Sequence, residues 1–492
     1  MTTAPSTLLD RIDELCREGE SSAAGTPLVD EFRAIARRAH GPLRVAIAGR
    51  VKAGKSTLLN ALVGEQVAPT DAGECTRVVT WYSYGITYDV RARLIDGAMR
   101  SLTFRREDGR FEIDLGDLTT EMIDRIEVTW PSSRLQAMTL IDTPGLASLD
   151  DRTSLRTRDF LALEEDGPSE ADAVIYLLRH MHSRDTQFLE AFIDRSVANA
   201  SPVNAIALLS RADEVGAARP AAMQSAAHIA QRYAEDERVR ALVVGVLPVA
   251  GLLAETGNTL REHEAAALRE LADLDEELRE RMLRSADAFV SPDLSRLAPE
   301  IRHDLLMRLG MFGVRLAITE MRQGHIQTAS ELARLLLDIS GIAALRNVLD
   351  NHLAVRAQAL KARTGLAAVR AAARRLSAAQ PEAGARLLDH IERVEASSHE
   401  LAEMRLVHLM LAGMVQFTEA EQHEVERLTG EGAPARRLGL PDDADDAAMQ
   451  VAALKGVDAW RRRGANPLAN RELRDAYEIL ARSYEGIYAS LV

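Results

Sequence analysis

Residues Gly49 to Thr57 read Gly-Arg-Val-Lys-Ala-Gly-Lys-Ser-Thr and follow directly on an apolar run, Leu43 to Ala48. A short continuous apolar run predicts a buried parallel strand. A strand that feeds a glycine-rich loop opening a helix belongs to a doubly wound sheet with its ligand at the carboxyl edge. Leu58, Leu59, Ala61 and Leu62 carry that helix, and Gly64 is its expected C-cap. Such a loop turns several backbone N–H groups toward one point, which suits a polyphosphate. Gly49 and Gly54 let the backbone come close, Lys55 reaches the β- and γ-phosphates, and the Ser56 hydroxyl is placed to ligate Mg²⁺. Ala53 and Thr57 complete the candidate phosphate-binding set.

Further elements stand in the order this reading requires. A second apolar strand ends in Leu140-Ile-Asp-Thr-Pro-Gly145, where Asp142 is placed to hold Mg²⁺ through water and Gly145 to give its N–H to a γ-phosphate. Between the two lies Glu74-Cys-Thr-Arg77, with Thr76 the candidate second hydroxyl ligand of the metal. Ala205 to Leu209 is a third buried strand leading into Ser210-Arg-Ala-Asp213. There Asp213 is suited to accept from N1–H and the exocyclic amine of guanine, while the Arg211 stem covers the base. A fourth run, Ala241 to Leu247, leads to Pro248-Val-Ala-Gly251, a backbone wall for the base. Taken together these motifs predict a domain that binds GTP with Mg²⁺.

A chain of 492 residues is too long for one hydrophobic core, so two or more domains are expected. Only 4% of residues are aromatic while Ala, Leu, Arg and Glu abound, a mixture that favours long helices. The net charge of −14 argues against a general nucleic-acid binder. Cys16 and Cys75 have neither metal nor disulfide spacing and read as reduced thiols. No basic stretch followed by an apolar one opens the chain, so no signal peptide is expected. The longest mostly apolar run, Leu406 to Phe417, is well short of the roughly 20 residues that span a bilayer, so any membrane contact is expected to be peripheral.

Three regions follow from the patterning. Residues 1–41 are helical, with a break at Ser21 to Pro27. Residues 42–255 are α/β, with Asp96-Gly97 and Asp108-Gly109 as hairpin turns of an antiparallel extension and Ala173 to Leu178 as a further core strand. Residues 256–492 are helical: Leu271, Leu274, Leu278, Met282 and Phe289 form a stripe, Ser291-Pro-Asp293 is a break and restart, and Thr328 with Glu331 makes a capping box. Pro381, Pro434, Pro441 and Pro467 divide the remainder.

On these motifs, and on Lys52 to Gln66, Ala68 to Ala72 and Gly310-Met-Phe-Gly-Val-Arg-Leu316, the chain resembles the bacterial dynamin-like GTPases, in particular the mycobacterial isoniazid-inducible proteins. The resemblance implies an α/β P-loop GTPase domain with a doubly wound mixed sheet, and an extended all-α bundle, the neck and trunk, joined by the N-terminal helices. It further implies that GTPase heads self-associate and that the protein acts on membrane lipid as a peripheral protein at the inner face of the cell membrane, with a related dynamin-like protein as a possible partner. The expected function is GTP hydrolysis coupled to membrane remodelling or stabilisation. The alternatives are a nucleotide-gated subunit of a related partner, and an RNA- or ribosome-associated GTPase.

Two departures from the common GTPase pattern stand out. Ser210-Arg-Ala-Asp213 replaces the usual Asn/Thr-Lys-x-Asp, which leaves adenine open beside guanine, and Leu146 and Ala147 follow Gly145 where other GTPases carry glutamine. Lys52, in the third variable place of the loop, is a candidate internal finger that would stabilise transition-state charge alongside Lys55, Thr76 and Gly145. A solvated loop lysine is the plainer reading.

Three weaker signals remain. His180 and His182 have no third ligand nearby and read as loop residues. Arg461-Arg-Arg463 beside Trp460 is either a lipid-contacting basic cluster or a solvated helix end, and Leu406 to Phe417 reads as bundle core ahead of a bilayer-inserting tip.

Overall fold

The computed structural model describes residues 7–50, 52–68, 78–107, 110–144, 169–178, 203–292, 295 and 297–492. The run Leu43–Gly49 is strand β1, buried throughout except at Arg44. It lies between two parallel partners, β8 (Met138–Asp142) and β9 (Ala173–Leu178), so both faces need apolar side chains. The wholly buried β10 (Ala205–Ser210) and the short β11 (Val246–Val249) continue the parallel half.

On the other side β2 (Val79–Tyr84) pairs antiparallel with β8 and parallel with β7 (Ile123–Trp130). Antiparallel β3 (Asp89–Leu94) and β4 (Met99–Ser101) finish the sheet, giving the order β11-β10-β9-β1-β8-β2-β7-β3-β4. This is the doubly wound mixed sheet anticipated from the sequence. The turn at Asp96-Gly97 joins β3 to β4, with Gly97 at φ 87° and the Asp96 side chain accepting from Ala98 N. β5 (Thr103–Glu107) and β6 (Arg110–Asp114) form a separate hairpin; Asp108 and Gly109 lie outside the described residues.

Two sequence expectations are corrected. The run Ala241 to Leu247 is mostly not strand: a helical turn, Glu237–Arg240, carries on through hydrogen bonds from Ala241, Leu242 and Val243, and pairing with β10 runs only from Val246 to Val249. The stripe from Leu271 to Phe289 is carried by three short helices, Glu262–Ala272, Glu276–Met282 and Ala286–Val290. Asp275 and Ser285 each accept a backbone N–H three residues on and restart the helix. The restart expected at Ser291-Pro-Asp293 falls partly outside the described residues; the next long helix opens at Pro299, and the fully buried Arg302 ties it to the stretch before by donating to the carbonyls of Phe289, Ser291 and Leu297.

Two groups of helices precede the C-terminal pair. Leu8–Ser22 and Leu28–Ala39 pack Ile12, Leu15, Phe32 and Ile35 against Leu366, Val369, Leu376 and Ile391 of Ala357–Ala379 and Pro381–Ser397. Gly19 permits this, since a Cβ there would stand 2.5 Å from the Phe32 ring. The second group lies on the head: Gly251–Thr259 packs on the P-loop helix, and Leu253 shares a core with Leu268, Leu305, Leu309 and Phe312. The helix Gly251–Thr259 runs across residues 255 and 256. The Thr328–Glu331 capping box opens Ala329–Ile339 as expected.

At the C-terminus Asp446–Gly464 and Arg471–Ser490 form an antiparallel pair around Ala453, Val457, Leu480 and Tyr484. Trp460 is fully buried there and donates to Glu424 at 2.8 Å; Arg463 stacks on its ring and pairs with Glu421. Leu406, Val407, Val415 and Phe417 are buried as bundle core. Among the described residues no helix is long and apolar enough to cross a membrane.

Candidate functional site

β1 ends at Gly49, with φ at 151°. A Cβ there would stand 2.8 Å from the Leu177 carbonyl of β9, so glycine lets the strand leave the sheet at this close approach. Lys52 takes a left-handed φ of 62° and is exposed. Gly54, left-handed at φ 90°, is the N-cap of Lys55–Val63, and no atom lies within 4 Å of where its Cβ would be. The helix therefore opens with its first N–H groups beside free space, the arrangement that receives a phosphate. Gly64 ends it at φ 87°, the C-cap expected from the sequence.

Lys55 Nζ donates to the carbonyls of Gly49 at 3.4 Å and Arg50 at 3.3 Å, bridging the two ends of the loop. Burial holds its pKa below the usual lysine value, and Asp142 partly opposes this. Asp142 ends β8 opposite Ile47 of β1, and Ser56 Oγ donates to its Oδ2 at 2.8 Å. The other oxygen, Oδ1, is buried without a hydrogen-bond partner among the described residues. Burial raises the Asp142 pKa, while Lys55 and Ser56 pull it down. A buried carboxylate with a spare lone pair beside a hydroxyl is a hard-oxygen donor set that fits Mg²⁺. Thr143 Oγ1 donates to the Ile47 carbonyl at 2.9 Å and anchors the turn after β8. Thr76 and Gly145 lie outside the described residues, as do His180 and His182.

On the base side, β10 ends at Ser210, whose hydroxyl donates to the Leu178 carbonyl of β9 at 2.6 Å. Arg211 is left-handed at φ 54° and binds Glu214 at 2.7 Å. Asp213 is only 5% exposed, and burial pushes its pKa up to about 6. Gly251, after β11, would place a Cβ 3.6 Å from Thr57 Cγ2, so the third and fourth strand ends converge beside the P-loop helix. A cavity of about 1730 Å³ is lined by Ala53, Gly54, Thr57, Arg211, Asp213 and Gly251, among others. Lys55, Ser56 and Asp142 stand outside its lining, on the side of the loop and β8.

One cluster has no counterpart in the sequence reading. Asn60 Oδ1 accepts from Val67 N at 2.9 Å and Ala68 N at 2.7 Å, and its amide donates to Glu255 at 3.0 Å. Gln66 also donates to Glu255, which is 4% exposed with its pKa raised by burial. The cluster fixes the chain as it leaves the P-loop helix toward the stretch that carries Thr76. A polar Asn60 amid Leu58, Leu59, Ala61 and Leu62 was its one visible signal.

A glycine loop between a central parallel strand and a helix, with a carboxylate at the end of the neighbouring strand, defines a P-loop nucleotide-binding domain. A family profile described as the dynamin family matches residues 45–206. The isoniazid-induced protein IniC of Mycobacterium tuberculosis is 38% identical over 453 residues, covering 91% of this chain and 90% of that protein. The isoniazid-induced protein IniA of the same species is 29% identical over 233 residues, 45% of this chain and 33% of its own. A solved chain from an oligomerised bacterial dynamin pair, linked to long-range sensing and tethering of membranes, aligns over 80% of each chain at a TM-score of 0.30 and 14% identity. The chain belongs to the dynamin family of GTPases, and specifically to the dynamin-like relatives of IniC.

Proposed function

We propose that the protein hydrolyses GTP to GDP and phosphate with Mg²⁺ and couples that cycle to association of its GTPase heads and to remodelling or stabilising a membrane. The observation that carries the enzymatic part is the Ser56–Asp142 hydrogen bond, at 2.8 Å, with the second Asp142 oxygen buried and without a hydrogen-bond partner among the described residues. Lys55 and the N–H groups from Ala53 to Thr57 hold the phosphates, with Gly49 and Gly54 giving the loop its shape. Ser56 and Thr76 ligate the metal, Asp142 holds it through water, Gly145 senses the γ-phosphate, and Arg211 and Asp213 contact the base. Mg²⁺, when bound, neutralises charge between the β- and γ-phosphates. The reaction needs positioning and charge stabilisation of an attacking water, with no covalent intermediate.

Lys52 is the internal finger in this scheme. A non-glycine residue in the left-handed region stores strain, which recurs at functional positions, and its exposed side chain is free to swing onto the phosphates when two heads meet. We further assign residues 1–41 and 256–492 to the neck and trunk and 42–255 to the head, at the inner face of the cell membrane.

A second reading, a nucleotide-gated subunit of a related dynamin-like partner with no lipid insertion of its own, is favoured by Trp460. That aromatic is buried in the bundle and bound to Glu424, so the adjacent arginines lack the interfacial ring that a lipid contact uses.

The test is steady-state hydrolysis of GTP and ATP across protein concentration, with and without anionic liposomes, using Lys55→Ala as the blank. GTP-selective turnover whose specific activity rises with concentration or lipid is expected. Flat, lipid-insensitive turnover favours the partner-subunit reading, and turnover that prefers ATP removes the base assignment.

A further inference from the structure

The helix Pro299–Arg322 belongs to the C-terminal half of the chain, yet it passes directly over the base side of the nucleotide site. It is broken at Gly310, which has φ 64° and ψ 172°, a conformation that essentially only glycine adopts. The break stands beside Asp213: a Cβ on Gly310 would lie 3.4 Å from Asp213 Oδ2 and 3.7 Å from Leu252 Cδ2.

The helix is pinned on both sides of this point. Before it, the Arg308 carbonyl accepts from the Thr256 hydroxyl, and the Arg308 guanidinium binds Glu264 at 2.9 Å and the Thr259 carbonyl at 3.0 Å. After it, Arg315 donates to the carbonyls of Ala217 at 3.1 Å and Ala218 at 2.7 Å, and to Leu283 at 2.9 Å. Residues 216–218 follow closely on Asp213 and are all left-handed, with φ between 56° and 63°. Arg315 thus clamps a strained loop that continues the base-reading segment. Gly310 and Met311 line the same cavity as Asp213, Arg211 and Thr57.

Building on the guanine reading above, we propose that this helix is the outer wall of the base subsite. Gly310 is a specificity-determining position, because a bare backbone there leaves the Asp213 carboxylate edge clear for the two N–H donors of guanine. Arg315 is a positioning residue that holds the segment carrying Asp213. The base subsite is thereby assembled from both halves of the chain, so guanine occupancy and the setting of this helix are linked.

The experiment uses the full chain and compares GDP with magnesium pyrophosphate, which fills the phosphate side and lacks a base. Hydrogen–deuterium exchange over residues 306–316 should slow with GDP and stay unchanged with pyrophosphate. Equal slowing by both ligands, or none with GDP, overturns the proposal. Gly310→Ala should weaken GDP binding by about tenfold or more, the size of a lost hydrogen bond to a charged group, with pyrophosphate binding kept within about twofold. Arg315→Lys should restore part of what Arg315→Ala loses for GDP. Equal loss for both ligands would make the contact merely structural and would sink the idea. Should Gly310→Ala fail to fold, the exchange comparison on the unaltered chain still decides. Asp213→Asn separates this from the underlying reading, because the asparagine amide complements xanthine in place of guanine. If preference does not move from guanine to xanthine, the base assignment has failed; if it moves while the helix stays indifferent to GDP, only the wall is lost.

Discussion

At the residue scale, the site turns on two buried carboxylates that burial affects in the same direction. Asp142 has Lys55 and Ser56 to offset desolvation. For Asp213 burial outweighs a backbone hydrogen bond and Arg211, pushing its pKa up to about 6 against an ordinary value near 3.8. Its folded pKa therefore lies above the unfolded one, so folding takes up a proton between about pH 4 and pH 6. Above that window the ionised group opposes folding, on the order of 1–3 kcal/mol at pH 7. Guanine recognition needs the ionised form as an acceptor. GDP affinity should accordingly fall as pH drops below about 6, approaching tenfold per pH unit, while Asp213→Asn melts higher than the parent at pH 7 in the absence of nucleotide. Titration of GDP by calorimetry across pH 5–8 and melting curves of the two proteins check this; an affinity flat down to pH 5 would contradict it.

At the element scale, secondary structure was legible where local chemistry decided it. β1, the P-loop helix with its Gly64 cap, the Asp96-Gly97 turn and the Thr328–Glu331 box each depend on a few adjacent residues. The Leu271 to Phe289 stripe misled because side chains of three consecutive helices face one core, so apolar spacing persists through two N-caps. Trp460 also read ambiguously, since neighbouring charges say nothing about which way one ring points. In the fold it holds the C-terminal pair together, touching Phe417 and Tyr477 and sharing the Glu424 carboxylate with the Tyr484 hydroxyl. Trp460→Ala should cost about 3–5 kcal/mol, the range for a large buried aromatic. Urea unfolding followed by circular dichroism measures it, and a cost below about 1 kcal/mol would show that the ring is not central to the bundle.

At the scale of the whole molecule, three distant parts of the chain meet at Asp172, which is 2% exposed just before β9. It accepts from the backbone N–H of Arg44 at 2.9 Å, from Arg38 of the N-terminal helices at 3.5 Å, and from the Thr364 hydroxyl on Ala357–Ala379. Lys361, one turn earlier, donates to the Gly41 carbonyl at 3.0 Å. These contacts couple the end of the sheet opposite the P-loop to the N-terminal helices and to Ala357–Ala379, which pack together. Asp172→Ala should destabilise the protein by about 3–5 kcal/mol by stranding buried partners. It should speed hydrogen exchange in residues 357–379 more than in the P-loop helix; equal acceleration in both would mean that Asp172 supports the head alone.

The sequence alone determined the strand, loop and helix of the P-loop and the class of sheet. A P-loop is a contiguous stretch whose strand, glycines and helix are set by neighbours in the chain, and a central parallel strand must be apolar on both faces. Only the tertiary structure decided what surrounds it. Asn60 meets Glu255 across 195 residues, Gly310 meets Asp213 and Thr364 meets Asp172, because packing of elements far apart in sequence brings those groups together. Their local sequence carries no trace of the partner. A buried carboxylate must find donors wherever the fold supplies them, and that supply is a property of the assembled core.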